Sequence, residues 1–177
     1  MNFRPAFLLT VLCALFLSIA SPAFADGWIE TGQAVRTKSV IITVNVYAIR
    51  HDMKEKPATK SKQAVIDADV DKKFTWIMLR SVGSEKIKNA LREAFALNGY
   101  TDKAKIEQFV GAFSKEEVTE KSAVVISYNA ANKTTTIWAK DGGSATVAGA
   151  DFMKGVWKIW FGKIDQPTMG DQLISKL

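Results

Sequence analysis

The chain has 177 residues, and its 24 Lys and Arg residues against 18 Asp and Glu residues give a formal net charge of +6 at pH 7. This length suits a single domain with a substantial hydrophobic core. One cysteine excludes an internal disulfide, and one cysteine with one histidine argues against a zinc site, so we expect no metal and no cofactor. The charge is mild and evenly spread, which favours a small anionic ligand or a membrane surface over nucleic acid.

The N-terminal residues have the three parts of a secretory signal peptide. Arg4 provides the positive start, residues 6–20 form an apolar run, and Ala23-Phe24-Ala25 places small residues at the spacing that signal peptidase requires. The apolar run is shorter than the roughly 20 residues of a membrane-spanning helix. The sequence therefore predicts a cleaved signal peptide over residues 1–25, a periplasmic location, and one mature domain over residues 26–177.

The first half of the mature chain predicts mainly β-structure. Strands are expected at residues 28–32, 39–49, 64–70 and 74–79, and the second of them is rich in β-branched residues. The polar residues 51–62 predict a loop. That loop holds four clustered lysines, Lys54, Lys56, Lys60 and Lys62. The cluster is either a solvated tip or a patch that faces a membrane.

The second half predicts helices, then hairpins, then helices again. Helices are expected at residues 84–97 and 102–113, strands at 123–128, 134–139 and 145–148, and helices at 151–161 and 169–176. No regular alternation of strand and helix is present. The predicted fold class is therefore α+β, an antiparallel sheet with its helices packed on one face.

The helix predicted at residues 151–161 is apolar on most sides. Phe152, Val156, Ile159 and Trp160 form one stripe, and Met153, Trp157 and Phe161 form a second. Such a helix is either buried in the core or forms the wall of an apolar cavity. The residues alone reveal no catalytic constellation, and the acidic run that begins at Asp67 lacks the glycine and the glutamate of a calcium-binding loop.

Several segments together resemble the bacterial chalcone isomerase-like proteins. They are Gly32-Gln33-Ala34-Val35-Arg36-Thr37-Lys38, a strand that ends in Val46-Tyr47-Ala48, Ser84-Glu85-Lys86-Ile87, Tyr100-Thr101-Asp102 before Ile106-Glu107-Gln108-Phe109, and Val156-Trp157-Lys158-Ile159-Trp160-Phe161-Gly162-Lys163. The resemblance lies in the order and spacing of these segments rather than in one motif. It implies an open-faced β-sandwich with a ligand cleft between the sheet and the helices.

The resemblance also implies which residues would act in catalysis. In the plant enzymes of the superfamily an arginine stabilises the attacking phenolate, and a threonine, a tyrosine, an asparagine and a late hydroxyl assist it. The arginine corresponds to Arg36. The other four positions fall at Ile42, Gly83, Ala90 and Ile159, although Thr43 and Asn89 lie one residue away from two of them. We therefore expect a non-catalytic member of the superfamily.

A cleft without hydroxyls that keeps one arginine suits an apolar anion such as a fatty acid, which plant members of the superfamily bind. The expected binding residues are Arg36, Val44, Val46, Tyr47, Phe95, Val156, Ile159 and Trp160. Arg36 could instead be a surface residue paired with a neighbouring carboxylate.

Two other functions stay open. One is a scaffold that docks an envelope protein through Trp28 or Trp138. The other is an isomerase that uses Arg36 with Tyr47 or Tyr100 as proton donor. The oligomeric state does not follow from the sequence.

Overall fold

A six-stranded antiparallel sheet is the frame of the computed structural model, which describes residues 27–39 and 41–177. The predicted signal peptide and its cleavage site lie outside these residues. The strands are β1 (Ile29–Ser39), β2 (Thr43–Met53), β3 (Lys72–Met78), β4 (Val82–Gly83), β5 (Glu117–Val118), β6 (Ala123–Asn129), β7 (Thr134–Ala139) and β8 (Ser144–Ala148). The large sheet has the order β1-β2-β3-β6-β7-β8, while β4 and β5 form a separate two-stranded sheet.

Within residues 41–177 the chain forms five helices: α1 (Lys62–Asp67), α2 (Ser84–Leu97), α3 (Lys103–Val110), α4 (Ala150–Phe161) and α5 (Thr168–Leu173). The inward-facing residues of β3 and β6 alternate with exposed or half-buried ones along each strand, which marks one face as the packed face. The predicted α+β class with helices on one face of an antiparallel sheet is therefore confirmed. In the two described ranges, no helix combines the length and hydrophobicity that membrane crossing requires.

Helix α4 is the centre of the core. Both of its predicted apolar stripes are buried, and Phe152, Val156 and Trp157 have no exposed surface. Phe74 of β3 packs against Trp157 and Trp160, with ring centroids 5.0 and 4.6 Å apart. Burial in the core therefore explains most of this helix, and only its Ile159–Trp160 edge reaches a cavity.

The first hairpin differs from the prediction. The expected strands at 28–32 and 39–49 are in fact the longer strands β1 and β2. They pair along their whole length, from Ile29 opposite Met53 to Ser39 opposite Thr43. The tip of this hairpin, between Ser39 and Thr43, was predicted as part of a strand because it contains β-branched residues. Local β-propensity does not distinguish a strand from a hairpin tip beside it. Arg36 thus lies within β1, in the stretch that the sequence left between its two predicted strands.

Gly32 lies in β1, as the sequence predicted. A Cβ atom there would come within 2.2 Å of the Gln172 carbonyl oxygen and 2.7 Å of the Leu173 carbonyl carbon. The glycine is needed because the backbone of α5 crosses β1 at this point.

The strand predicted at residues 64–70 is wrong, since α1 occupies most of that segment. Ser61 caps the helix, and its side chain accepts a hydrogen bond from the Ala64 N–H. At the other end the buried Lys72 Nζ donates to the carbonyls of Val65, Ile66 and Ala68 at 2.7, 3.2 and 2.8 Å. Burial lowers the pKa of Lys72 to about 7, although three carbonyl acceptors favour the ammonium form.

His51 was expected in a loop and instead lies in β2 with no exposed surface. Its Nε2 accepts from the Trp157 indole N–H at 2.9 Å, so the imidazole carries its proton on Nδ1 and donates to Thr31 Oγ1 at 2.7 Å. The Thr31 hydroxyl in turn donates to the Leu173 carbonyl at 2.7 Å. Burial, reinforced by the charge of Lys72, lowers the pKa of His51 well below 6.5. This chain of bonds joins β1, β2, α4 and the end of α5.

Candidate functional site: a cleft between sheet and helices

A cleft of about 710 Å³ lies between one end of the large sheet and helix α2. Its volume falls within the roughly 300–1,000 Å³ of small-molecule sites. The walls are mostly apolar and consist of Val44, Val46, Trp76, Met78, Val82, Ile87, Ala90, Leu91, Ala94, Leu97, Ile159, Trp160 and Ile164. Strands β2 and β3 form the floor, α2 forms one side, and the end of α4 forms another.

A β-bulge in the first hairpin shapes the floor. Arg36 pairs with Tyr47, but the next residue, Thr37, pairs with Asn45, so Val46 is left without a partner. Because a bulge shifts the alternation of side chains by one residue, Val46 and Tyr47 both reach the cleft although they are neighbours in sequence. Directly paired residues point to the same face of a sheet, which turns Arg36 toward the cleft beside Tyr47.

Arg36 already has a carboxylate partner. Its Nη2 lies 2.6 Å from Asp165 Oδ1, and its side chain is only 17% exposed. The second oxygen of Asp165 accepts from Lys38 Nζ at 3.0 Å. Burial opposes the charge on Asp165, but the hydrogen bond from Lys38 and the charge of Arg36 outweigh it and lower the pKa of this carboxyl. Arg36 therefore lines the cleft, as expected of a binding residue, and is also paired with a neighbouring carboxylate, as the alternative expected.

Gln166 closes the outer side of Arg36. Its Oε1 accepts from the Thr37 backbone N–H at 3.0 Å, and its Nε2 donates to the Val35 carbonyl at 2.9 Å. The amide thus pairs with the edge of β1 as a neighbouring strand would. Arg36 Nη1 reaches the same Oε1 only at 3.4 Å, the weak limit of a hydrogen bond. Nη1 is therefore held more weakly than Nη2, and it is the guanidinium nitrogen that a ligand in the cleft can compete for.

Tyr47 places a hydroxyl group beside Arg36. The Trp160 indole N–H donates to the Tyr47 oxygen at 3.0 Å, and the Tyr47 ring stacks on Trp76 with centroids 4.8 Å apart. No acceptor within the described residues binds the hydroxyl proton, so this proton is available to a ligand. Burial raises the pKa of Tyr47, which keeps the hydroxyl protonated as a donor.

The polar rim of the cleft is positive. It has five basic residues, Arg36, Lys38, Arg80, Lys86 and Lys163, and two acidic residues, Glu93 and Asp165. Among the described residues, Arg80, Lys86 and Lys163 form no ion pair with a carboxylate. The rim therefore carries a formal excess of three positive charges and favours an anionic ligand.

Six of the eight expected binding residues line this cleft: Arg36, Val44, Val46, Tyr47, Ile159 and Trp160. Phe95 and Val156 do not. Phe95 points away from the cleft and packs against Phe109 and Phe152, with ring centroids 6.0 and 5.6 Å apart. Val156 has no exposed surface and lies on the core side of α4. Helical periodicity identified both as buried but could not distinguish a core face from a cavity face.

The positions that the resemblance assigned to the catalytic groups of the plant enzymes lie partly inside and partly outside the cleft. Gly83, Ala90 and Ile159 line the cleft, and none of them carries a hydroxyl. Ile42 lies outside the cleft at the tip of the first hairpin and is 72% exposed. Tyr100, considered above as a proton donor, is likewise outside the cleft, where its hydroxyl donates to Asp151 at 3.1 Å.

Sequence reasoning missed Trp76, Met78 and Asp165. Trp76 faces the cleft because β3 pairs with β2 in the register that sets Trp76 opposite Ile49. Its indole N–H is buried and has no hydrogen-bond partner among residues 27–39 and 41–177. Strand alternation predicts that Trp76 and Met78 share a face, but not that this face bounds a cavity.

Three of the four lysines that the sequence places in one cluster contact separate parts of the described chain. Lys54 lies over the Trp28 ring at 4.6 Å, Lys60 bonds the Ser175 carbonyl, and Lys62 pairs with Asp171. These lysines thus contact different parts of the molecule rather than forming one patch. A further groove of about 730 Å³ lies at the ends of α2 and α4, where polar helix-end residues and lysines form much of its lining. We place the candidate site in the first cleft, because its walls are mainly apolar.

The fold and the cleft define an α+β protein of the open-faced β-sandwich class, with a ligand-sized cavity between sheet and helices. The profile described as chalcone isomerase-like matches residues 31–171, and the chain belongs to the chalcone isomerase-like family. A crystal structure of a fatty-acid binding protein from Arabidopsis thaliana aligns with 86% of this chain and 89% of that chain, with a TM-score of 0.66 and 13% sequence identity. At that identity the likeness shows the shared fold. No curated protein sequence matches the chain.

Proposed function

We propose that this protein binds a fatty acid or a similar apolar anion in the cleft. The observation that carries the proposal is a cavity of about 710 Å³ with apolar walls and a positive rim, in which Arg36 and Tyr47 stand side by side. The name of the Arabidopsis protein, a fatty-acid binding protein of the same fold, supports the same ligand class.

The two parts of such a ligand suit two parts of the cleft. An acyl chain against the apolar walls contributes about 0.8 kcal/mol for each buried methylene group. The carboxylate accepts the Tyr47 hydroxyl proton and shares the guanidinium of Arg36 with Asp165. Hydrogen bonds to a charged group contribute about 1.5–3 kcal/mol, so the head group adds orientation as well as affinity.

Binding is tested with hexadecanoic acid and the purified protein, by calorimetry and by native mass spectrometry. We expect one acid per cleft, and we expect Arg36→Gln to weaken binding about tenfold or more. The matched control is Arg92→Gln, which removes the same charge from an exposed pair with Glu107 outside the cleft. Equal affinity in the wild type and Arg36→Gln would refute the role of Arg36, and an absence of binding in the wild type would refute the function.

We further propose that the protein is not an enzyme. At the positions that the resemblance assigns to the assisting groups of the plant enzymes, Gly83, Ala90 and Ile159 supply no hydroxyl, and the hydroxyls that line the cleft are those of Tyr47 and Ser81. Incubation with a chalcone should give no ring closure above the uncatalysed rate. Turnover that disappears in Arg36→Ala would overturn this proposal and favour an isomerase.

The proposed location is the periplasm, after removal of residues 1–25. N-terminal sequencing of the protein from a fractionated expression host tests this, with Asp26 expected as the first residue. A full-length chain in the cytoplasmic fraction would contradict it. Trp138 is exposed on the outer face of the sheet, where it is available for contact with an envelope protein. A partner that cross-links equally to the wild type and to Arg36→Gln would support this alternative.

A further inference from the structure

The tip of the β1–β2 hairpin exposes apolar side chains without a folding reason. Ile41 is 97% exposed and Ile42 is 72% exposed, the highest values for large apolar residues in the described part of the chain. Two adjacent isoleucines in water contribute nothing to the core. Large apolar side chains that remain exposed together indicate a contact with something outside the molecule.

The tip projects beyond the rest of the sheet. Strand β3 ends at Met78, opposite Tyr47, and the following Leu79 N–H donates to the Val46 carbonyl at 3.0 Å. The hairpin then continues as two strands to its last pair, Ser39 with Thr43. Three residues of strand span about 10 Å, so the isoleucines lie at the end of an arm rather than in a flat patch.

This arm is held in place at its base. The side-chain amide of Gln166 pairs with the β1 edge at Val35 and Thr37, and Asp165 binds both Arg36 and Lys38. A short two-stranded arm with no other support is marginally stable in water. The contacts from Asp165 and Gln166 therefore present the tip in a defined position.

Basic side chains lie next to the apolar tip. Lys38, one pair below the last pair of the hairpin, is 58% exposed, although its Nζ pairs with Asp165. Arg80 is exposed at the end of the neighbouring β3 and forms no ion pair with a carboxylate in the described ranges. Next to it, Leu79 is 40% exposed. Isoleucine and leucine flanked by lysine and arginine suit the boundary between acyl chains and anionic head groups.

We propose that the hairpin tip docks on an anionic lipid bilayer, with Ile41 and Ile42 inserted among the acyl chains and Lys38 and Arg80 at the head groups. Lys38 and Arg80 also line the mouth of the cleft, so docking brings that mouth to the membrane. The inference rests on the tip and its charges, and it holds whether or not the cleft binds a fatty acid.

Vesicle sedimentation tests the proposal, with vesicles of equimolar phosphatidylcholine and phosphatidylglycerol compared with phosphatidylcholine alone. We expect stronger binding to the anionic vesicles, weakened by salt. The double variant Ile41→Ser, Ile42→Ser should bind about tenfold or more weakly, because it removes most of the inserted apolar area. The matched control is Ile77→Ser, which replaces an isoleucine that is 42% exposed on the outer face of the sheet. The wild type and the variants are prepared as the exported protein with Asp26 as the expected first residue, so that the apolar residues 6–20 do not contribute to vesicle binding.

Three outcomes would overturn the proposal: no binding of the wild type to anionic vesicles, equal binding by the double variant, or equal losses in the double variant and in Ile77→Ser. A dimer that forms with concentration and disappears in the double variant would show that the tip contacts a second copy instead. Hexadecanoic acid binding in solution is measured on the same variants. It should be unchanged in the double variant, which separates a failure of docking from a failure of the cleft.

Discussion

Asp165 offers the sharpest test of the anion site, because it occupies the guanidinium that the ligand is proposed to share. Its carboxylate lies 2.6 Å from Arg36 Nη2. A ligand carboxylate on the other edge of the guanidinium would lie about 6 Å from the Asp165 carboxylate. With an effective dielectric constant of about 40, suited to a half-exposed pair, the repulsion is about 1.4 kcal/mol. Asp165→Asn should therefore tighten hexadecanoate binding about tenfold.

Calorimetry on Asp165→Asn measures this change, and two controls make it specific. Asp171→Asn removes the same charge from an exposed pair with Lys62 outside the cleft and should leave affinity unchanged. Hexadecanol, which has no carboxylate, should bind the wild type and Asp165→Asn with equal affinity. If Asp165→Asn binds the acid no more tightly than the wild type, or if hexadecanol gains as much as the acid, a shared Arg36 is not how the anion is held.

Three further predictions concern the cleft wall and the folded state. Gly83→Tyr should weaken binding of hexadecanoic acid about tenfold or more with little loss of stability, since the nearest atom to an added Cβ is a carbonyl oxygen 4.0 Å away and the side chain extends into the cleft; unchanged affinity would show that the ligand does not reach this wall. Gly32→Ala should lower the free energy of unfolding by about 1–3 kcal/mol in urea titrations, because its Cβ would overlap the backbone of α5; an unchanged midpoint would contradict that close approach. Burial lowers the pKa of His51 in the folded state, so below pH 6.5 the unfolded chain binds a proton that the folded chain does not. The contribution of His51 to the free energy of unfolding is complete above pH 6.5 and falls by about 1.4 kcal/mol for each pH unit below it, so the wild type should lose stability more steeply than His51→Gln by that slope as the pH falls; equal slopes would refute a neutral buried imidazole.

The sequence predicted those helices and strands whose ends are set by neighbouring residues, such as turn residues and helix stop signals. Helix α2 begins and ends at the predicted residues, because its apolar positions recur at helical spacing and Asn98-Gly99 ends it. Strand β7 also matches in both bounds, since turn residues flank a short alternating run. The prediction of α1 as a strand shows the limit of this reasoning. Its six residues are too few for periodicity to separate helix from strand, and the cap at Ser61 decided the structure.

The site depended more on tertiary structure. The sequence by itself determined that an apolar helix, a β-branched strand and Arg36 were present, because composition and periodicity are local properties. It did not determine that a bulge turns Val46 and Tyr47 into the same cavity, that Arg36 meets Gln166 from 130 residues away, or that His51 is buried beneath α4. Strand register and ion pairing between distant residues depend on which faces meet when the layers pack. One shift of register moves every side chain of a strand to the other face, and only the packed core selects among registers.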